Sequence, residues 1–449
     1  MIPITTSVFE LFKIGPGPSS SHTIAPMRAG YHFNRAVAEA ELPAIPDRIE
    51  IRLYGSLSAT GKGHGTDRAV VAGLLGYLPD TVDCSFLDSL ADGSPHLFEC
   101  GSVKLHAGIN DVIFAEVNNS FPYSNTLTIS LKKNKETVFE QEYYSIGGGF
   151  IKLKGQPEEI PRVPVHKYSN MAELRQILIE KQLRMHEVIL ENETAITGMS
   201  KDEIRIRLDA ILDTMKQAVK NGLATSGVLP GPIGLNRKAK ALYARSSCDN
   251  EADRFFVRLN AYGFAASEEN AAGHIVVTAP TSGSSGVIPA IVYALEEDLG
   301  ISREMTRRGL MACAALGFIA KHNASIAGAE VGCQGEIGVA SAMAAGLITY
   351  AHGFRFWRTE NAAESALEHH LGLTCDPVGG YVQIPCIERN AMGAVRAYNA
   401  YLIASVENEK FHKVTFDEAV RAMAETGRDM NSKYKETSLG GLAVSVPNC

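Results

Sequence analysis

The chain has 449 residues, 45% of them hydrophobic and 21% charged, and 43 basic against 50 acidic side chains leave a formal net charge of −7. That length exceeds one ordinary core and predicts two or more domains. The acidic balance argues against nucleic acid or an anionic membrane surface as a partner. No apolar run reaches the roughly 18 residues of a membrane span. The opening MIPITTSVFELFKIG lacks the basic start and apolar core of a leader, so the cytoplasm is the expected compartment. Eight cysteines in so long a chain do not make a disulfide scaffold and are expected as free thiols or ligands.

The fold class predicted is a mixed α/β amino-terminal domain over residues 1–155, a linker over 156–168, and an all-α domain over 169–449. Gly15-Pro-Gly-Pro-Ser-Ser-Ser-His22-Thr23 is a turn-rich loop feeding a helix over 24–40. Serine and threonine there are N-cap residues. Several hydroxyls and a histidine exceed what capping needs, and a helix start favours an anion such as a substrate carboxylate. Residues 48–54 alternate apolar and polar and read as a strand. It ends in the glycine-rich Gly55-Ser-Leu-Ser-Ala-Thr-Gly61-Lys-Gly-His64-Gly65-Thr-Asp67, before a helix over 66–78. Glycines around His64 permit close approach to the backbone. Strands are expected over 103–106, 111–117, 125–131 and 136–145. Gly147–Gly149 and a proline-rich stretch then break the pattern.

From 169 the chain reads as helical. Long amphipathic helices are predicted over 169–192 and 200–223, with capping boxes at Ser200/Glu203 and Thr415/Glu418. Thr278-Ala-Pro-Thr-Ser282-Gly-Ser-Ser-Gly286 is a hydroxyl-rich loop that either holds a polar ligand group or joins two helices. Residues 302–323 are apolar on nearly all sides, as expected of a central helix. Helices over 336–350, 361–371, 387–406 and 415–430 complete the domain.

The chain is organised around 322–386. Cys333, Cys375 and Cys386 each sit beside glycine or proline and polar residues, unlike Cys313 in its apolar run. The spacing C-x41-C-x10-C has no short zinc-type pair and no ferredoxin-type run. By spacing alone, a metal set and an all-structural set stand equally open. Cys84, Cys100, Cys248 and Cys313 are expected to do no more than pack. Glu330, Glu336 and Glu388 read as helix caps or partners of Arg389, with a role as an acid or as a partner of the cysteine ligands the alternative, and His369-His370 reads as a surface pair. Asn323 and the Asp376-Pro377 turn are expected to shape the cysteine loops.

The segments VGCQGEIGVASAMAAG, HHLGLTCDPVGGYVQIPCIERNAMGA and KYKETSLGGLAV closely resemble the iron–sulfur L-serine dehydratases. GPGPSSSHTIAPMRAG and LYGSLSATGKGHGTDRAV resemble the same family. The resemblance runs from near residue 3 to the end, in the single-chain arrangement.

It implies a [4Fe–4S] cluster on Cys333, Cys375 and Cys386 with one iron left open, and no pyridoxal phosphate. The substrate implied is L-serine, and a homodimer is the family expectation; because one methyl in a pocket discriminates modestly, threonine stays open as a poorer substrate. Dehydrating serine requires the Cα proton and the β-hydroxyl both to leave while the carboxylate is held. The open iron would bind the hydroxyl. Histidine suits the base, with an unperturbed pKa near 6.5. His64 is expected as the base and His22 as a second site histidine, and the two roles can be exchanged. Ser20, Ser21, Thr23, Lys62 and Thr66 are the candidate substrate contacts. The two histidine loops are expected to face the cluster across the domain boundary. Cys449, at the end of the sequence, is expected to fold back as a fourth ligand of the resting cluster.

Three rivals remain open. One is a pyridoxal-phosphate dehydratase with Lys62 as Schiff base and Gly147–Gly149 as phosphate cradle. Another is an iron–sulfur hydro-lyase on a hydroxy acid. The third is a non-catalytic cluster-bearing sensor.

Overall fold

The computed structural model describes residues 2–446, apart from 102, 116–120, 124, 147, 157–162, 248–249 and 409–411. Cys248, Gly147 and Cys449 therefore lie outside the described residues. The chain groups into two compact units. One comprises Ile14–Glu159 with Gly273–Ile275 and the other Met1–Lys13, Ile160–Ala272 and Val276–Cys449. The first is mixed α/β and the second helical, as the patterning predicts.

The α/β unit is built on a five-stranded sheet. Its order is Val112–Phe114, Arg48–Gly55, Asn125–Lys133, Glu136–Ser145 and Ile151–Leu153. Only the first pair is parallel. Alternation sorts the faces. Ile49, Ile51 and Leu53 are buried with Leu127, Ile129 and Leu131. Glu50, on the opposite face, pairs with Arg52 at 2.8 Å and Lys132 at 2.9 Å. The buried face packs against helices Ala25–Glu39 and Thr66–Leu74 through Met27, Phe33, Val70 and Leu74. These helices touch backbone to backbone. A Cβ on Gly30 would stand 2.3 Å from the Val70 carbonyl oxygen, and one on Gly73 would stand 1.8 Å from that of Met27. A hairpin of His96–Cys100 and Val103–Ala107 completes this unit, its first strand absent from the sequence expectation.

In the helical unit, Arg303–Asn323 and Val339–Ala351 form the centre, buried without interruption over Gly309–Ala320 and throughout the second helix. Both predicted capping boxes form, at Ser200/Glu203 and Thr415/Glu418. The helix expected over 169–192 is instead two, Met171–Glu180 and Met185–Thr197. Gln182 adopts φ 54°, a left-handed conformation that no α-helix accommodates, while the apolar period runs on across the break. Helix Glu251–Ala271 was not anticipated. Its end carries the buried run Ser267, Glu268, Glu269 and Asn270, which blurs the apolar stripe. Partners in the preceding loop explain that burial. Glu268 Oε1 accepts the Lys238 and Ala239 amides, and Glu269 pairs with Arg237 at 2.6 Å. Among the described residues, no helix is long and apolar enough to cross a membrane.

Candidate functional site

The two close-packed helices of the α/β unit start beside one another, which brings two histidines together. A π-helical turn, Ser20–Ile24, leads into Ala25–Glu39 and carries His22. The loop before Thr66–Leu74 carries His64, and Gly65 at φ 61° turns the chain into that helix. The rings lie 4.7 Å apart between centroids, and both residues are buried. His22 is held at both nitrogens, Nδ1 by the Ser21 hydroxyl at 2.8 Å and Nε2 by that of Ser56 at 3.0 Å. His64 Nδ1 lies 2.9 Å from the Thr60 carbonyl, an acceptor only, so this nitrogen carries the proton. Its Nε2 then presents a lone pair.

Burial holds both imidazoles neutral. It lowers the His22 pKa to about 3, with the neighbouring His64 adding to the effect. Burial likewise lowers His64, against the pull of the Thr60 carbonyl.

The other candidates in this unit divide by role. Thr23 donates to the His64 carbonyl at 2.9 Å, and Ser19 caps the π turn through the His22 amide. Several hydroxyls of the helix start are therefore spent on the histidines and the turn. Ser20 is buried, Lys62 is exposed with its ammonium 5.4 Å from the Phe114 ring centre, and Thr66 Oγ1 is buried without a partner among the described residues.

The helical unit gathers the cysteines. Cys333 precedes a second π-helical turn, Gln334–Gly338, Cys375 lies in a loop, and Cys386 opens helix Cys386–Val406. All three are buried free thiols. Cys333, Glu336 and Cys375 bring their ligand atoms within 4.8 Å of one another. The Cys333 and Cys375 sulfurs stand 3.9 and 3.8 Å from Glu336 Oε2. Glu336 thus sits beside the thiols, the alternative to a cap, with the Arg389 charge acting on it. The π turn swings it toward the thiols, where Thr281 donates to its Oε1 at 2.7 Å.

The Cys375 thiol is pushed well above its usual range by Cys333, then by burial and nearby carboxylates. Burial and the charge of Cys333 and Glu336 do the same to Cys386. Glu436 comes from further along the chain, where its amide donates to the Cys375 carbonyl at 2.7 Å. Burial, reinforced by Glu336, raises its carboxyl pKa to about 8. Sequence reasoning missed Glu436, because only pairing of 434–436 with the cysteine loop brings it here.

Arg389 bonds the Thr374 carbonyl at 2.6 Å and Asp376 at 2.9 Å, which fixes the Cys375 loop. Other expectations around the cysteines are corrected. Glu388 pairs with Lys238, Asn323 ties to the Ser169 carbonyl rather than to a cysteine loop, and His370 is buried while only His369 faces solvent. Cys100 and Cys313 are buried and distant in role, Cys100 donating to the Asn34 carbonyl and Cys313 to that of Leu310.

Three thiols and two carboxylates gathered out of water beside one guanidinium form a donor set that burial alone disfavours. A polycationic centre reverses that balance. The residues present therefore fit a metal cluster.

Residues 7–156 match the family model described as the serine dehydratase beta chain, and 180–443 match the one for the serine dehydratase alpha chain. The chain is 41% identical to the L-serine dehydratase of Haemophilus influenzae, covering 98% of this chain and 99% of that protein. It is 40% identical to L-serine dehydratase 2 of Escherichia coli, over 99% of each. This chain belongs to the serine dehydratase family. A third relative, the L-serine dehydratase of Streptomyces coelicolor, is 41% identical over 99% of each chain. As a serine dehydratase family member, the chain carries the two family parts fused in beta–alpha order.

Proposed function

We propose that the chain converts L-serine to pyruvate and ammonia, using a [4Fe–4S] cluster held by Cys333, Cys375 and Cys386. The convergence of buried free thiols on Glu336, in a chain of this family, carries the reading. Held by these three thiolates, such a cluster would supply Lewis acidity toward the substrate hydroxyl.

The protein's own groups supply the proton chemistry. His64 is the base for the Cα proton. Its Nδ1–H is tied to the Thr60 carbonyl, so the Nε2 lone pair takes the proton, and burial keeps the ring neutral. His22, engaged at both nitrogens, is the poorer acceptor and orients its neighbour. Ser21 and Thr23 act through the histidines. Ser20, Lys62 and Thr66 are the remaining candidates for substrate contact, with the idle Thr66 hydroxyl the strongest. Loss of water leaves aminoacrylate, which tautomerises to an imine. Addition of one water then releases ammonia and pyruvate.

The Cys449 proposal is supported by what precedes it. Tyr434 and Glu436 bracket Cys375 by backbone bonds of 2.8 and 2.7 Å, Ser438 donates to the Pro377 carbonyl, and the Leu442 amide donates to Asp376. Glu436 and Ser438 both take left-handed φ, at 59° and 56°. We assign Cys449 as the residue that would complete the ligand set of the resting cluster and give way when substrate binds. Unchanged cluster spectra and oxygen lifetime after its deletion would count against that role.

The deciding experiment is anaerobic purification with iron and sulfide analysis, followed by an L-serine assay before and after air exposure. About four irons per chain, a broad brown absorption and turnover lost in air are expected. Air-stable turnover of an iron-free protein would overturn the cluster, and an intact cluster with no turnover of serine or threonine would overturn the activity.

A further inference from the structure

We propose that Ser282 and Ser285, at the start of helix Val287–Glu297, hold the carboxylate of the substrate. This assignment rests on the serine dehydratase reading above and moves the carboxylate away from the Ser19–Thr23 helix start, where Ser19, Ser21 and Thr23 are committed to the π turn and the histidines.

The loop Thr281–Ser285 carries four hydroxyls, and they fall into two kinds. Thr281 and Ser284 are structural. Thr281 Oγ1 donates to Glu336, and Ser284 Oγ donates to the Ala279 carbonyl at 3.1 Å and lies 3.1 Å from Thr281 Oγ1. Ser282 and Ser285 are idle. Each residue is 1% exposed, and neither hydroxyl has a hydrogen-bond partner among the described residues. A buried hydroxyl is costly to leave without a partner, so two in one five-residue loop call for an occupant.

The loop is braced by groups other than these two serines. Asn390 spans it, donating to the Gly283 carbonyl and accepting from the Gly286 amide, each at 2.8 Å. Its Nδ2 also reaches the Cys386 carbonyl at 2.8 Å, which ties the loop to a thiol-bearing helix. On the other side, a Cβ on Gly283 would stand 3.0 Å from Glu336 Oε1. The idle hydroxyls thus belong to a braced loop that lies against Glu336, the carboxylate beside the Cys333 and Cys375 thiols.

The chemistry of the place selects an anion. The helix that follows has 11 residues and no side-chain cap, so its first-turn amides and dipole favour negative charge. Hydroxyls that donate to a carboxylate make charge-assisted bonds. Of the groups on serine, only the carboxylate matches two hydroxyl donors and a helix start.

The test uses the cluster-loaded protein and the variants Ser282→Ala, Ser285→Ala and their double. L-Serine turnover by the parent is measured first, and its absence overturns the functional reading together with this assignment. With a working parent, each single variant raises KM for L-serine about tenfold, the loss of one hydrogen bond to a charged group. L-Alanine, which carries the carboxylate but no leaving hydroxyl, is the binding probe. It raises the parent's unfolding temperature, and the double variant loses that rise while keeping its iron and its ligand-free stability. A KM within twofold of the parent, or an undiminished shift with L-alanine, overturns the assignment alone. Destabilised ligand-free variants overturn it too, by showing that the hydroxyls are structural.

Discussion

Asn390→Ala tests how the cysteine-bearing helix is held in the protein. The side chain makes three buried bonds of 2.8 Å, to Gly283 O, Gly286 N and Cys386 O, and the residue is 1% exposed. Each bond contributes about 1 kcal/mol net, and groups left buried and unpaired cost about 1–3 kcal/mol more apiece. Alanine offers no replacement, so a loss of about 3–5 kcal/mol is expected. The assay is urea unfolding followed by fluorescence. Trp357 is the only tryptophan and lies in the helical unit, so the signal reports the fold that contains the change. Asn390→Asp keeps an acceptor for Gly286 N but turns a carboxylate on two carbonyl oxygens, and it should lose at least as much. A change below about 1 kcal/mol for either variant would refute this account of the loop.

His64→Ala should lower turnover by about 10²–10⁴-fold with iron content intact, and near-normal turnover would remove it as the base. Burial lowers the folded pKa of His22 and His64, so their contribution to stability is full above the unfolded value near 6.5 and is lost as pH falls below it, for His22 down to about 3. Urea midpoints by circular dichroism should fall between pH 7.5 and pH 5, and less so in His22→Asn. The acid limb of kcat/KM should likewise lie below pH 6.5, and a midpoint above 7 would contradict a neutral His64. Gly73→Ala should cost at least about 1–3 kcal/mol, since its Cβ would meet the Met27 carbonyl, and turnover should fall as the histidines part. Serine at Cys333, Cys375 or Cys386 should abolish iron retention, while Cys313→Ser should keep it, as iron and sulfide assays on the purified variants will show.

The sequence made the histidine loops conspicuous because glycine and hydroxyl residues cluster there without an apolar period to explain them. The three cysteines stood out for the same reason, beside glycine and proline. What contacts them was not legible. Glu336 follows Cys333 by three residues, a position that leaves capping, pairing with Arg389 and a place beside the thiols all open. The π turn sets the direction. Glu436 and Asn390 act through long-range contacts that leave no local pattern. The break at Gln182 and the buried polar run in Glu251–Ala271 failed for a related reason. Periodicity reports which face is apolar, not which polar groups find partners across the fold.

Two family parts joined end to end suggest that the protein divides wherever the parts meet. The exchange of segments argues otherwise. Residues 1–13 lie with the helical unit, where Val8, Leu11 and Phe12 are buried, Glu193 takes the Val8 amide and the Ser7 hydroxyl, and Thr278 takes the Lys13 amide. Residues 273–275 lie with the α/β unit, where the His274 carbonyl accepts the Gly17 amide. A cut between the parts, within 157–179, would therefore leave each fragment short of a piece that the other still carries. The boundary inherited in sequence and the boundary of cooperative folding are different lines through the same chain.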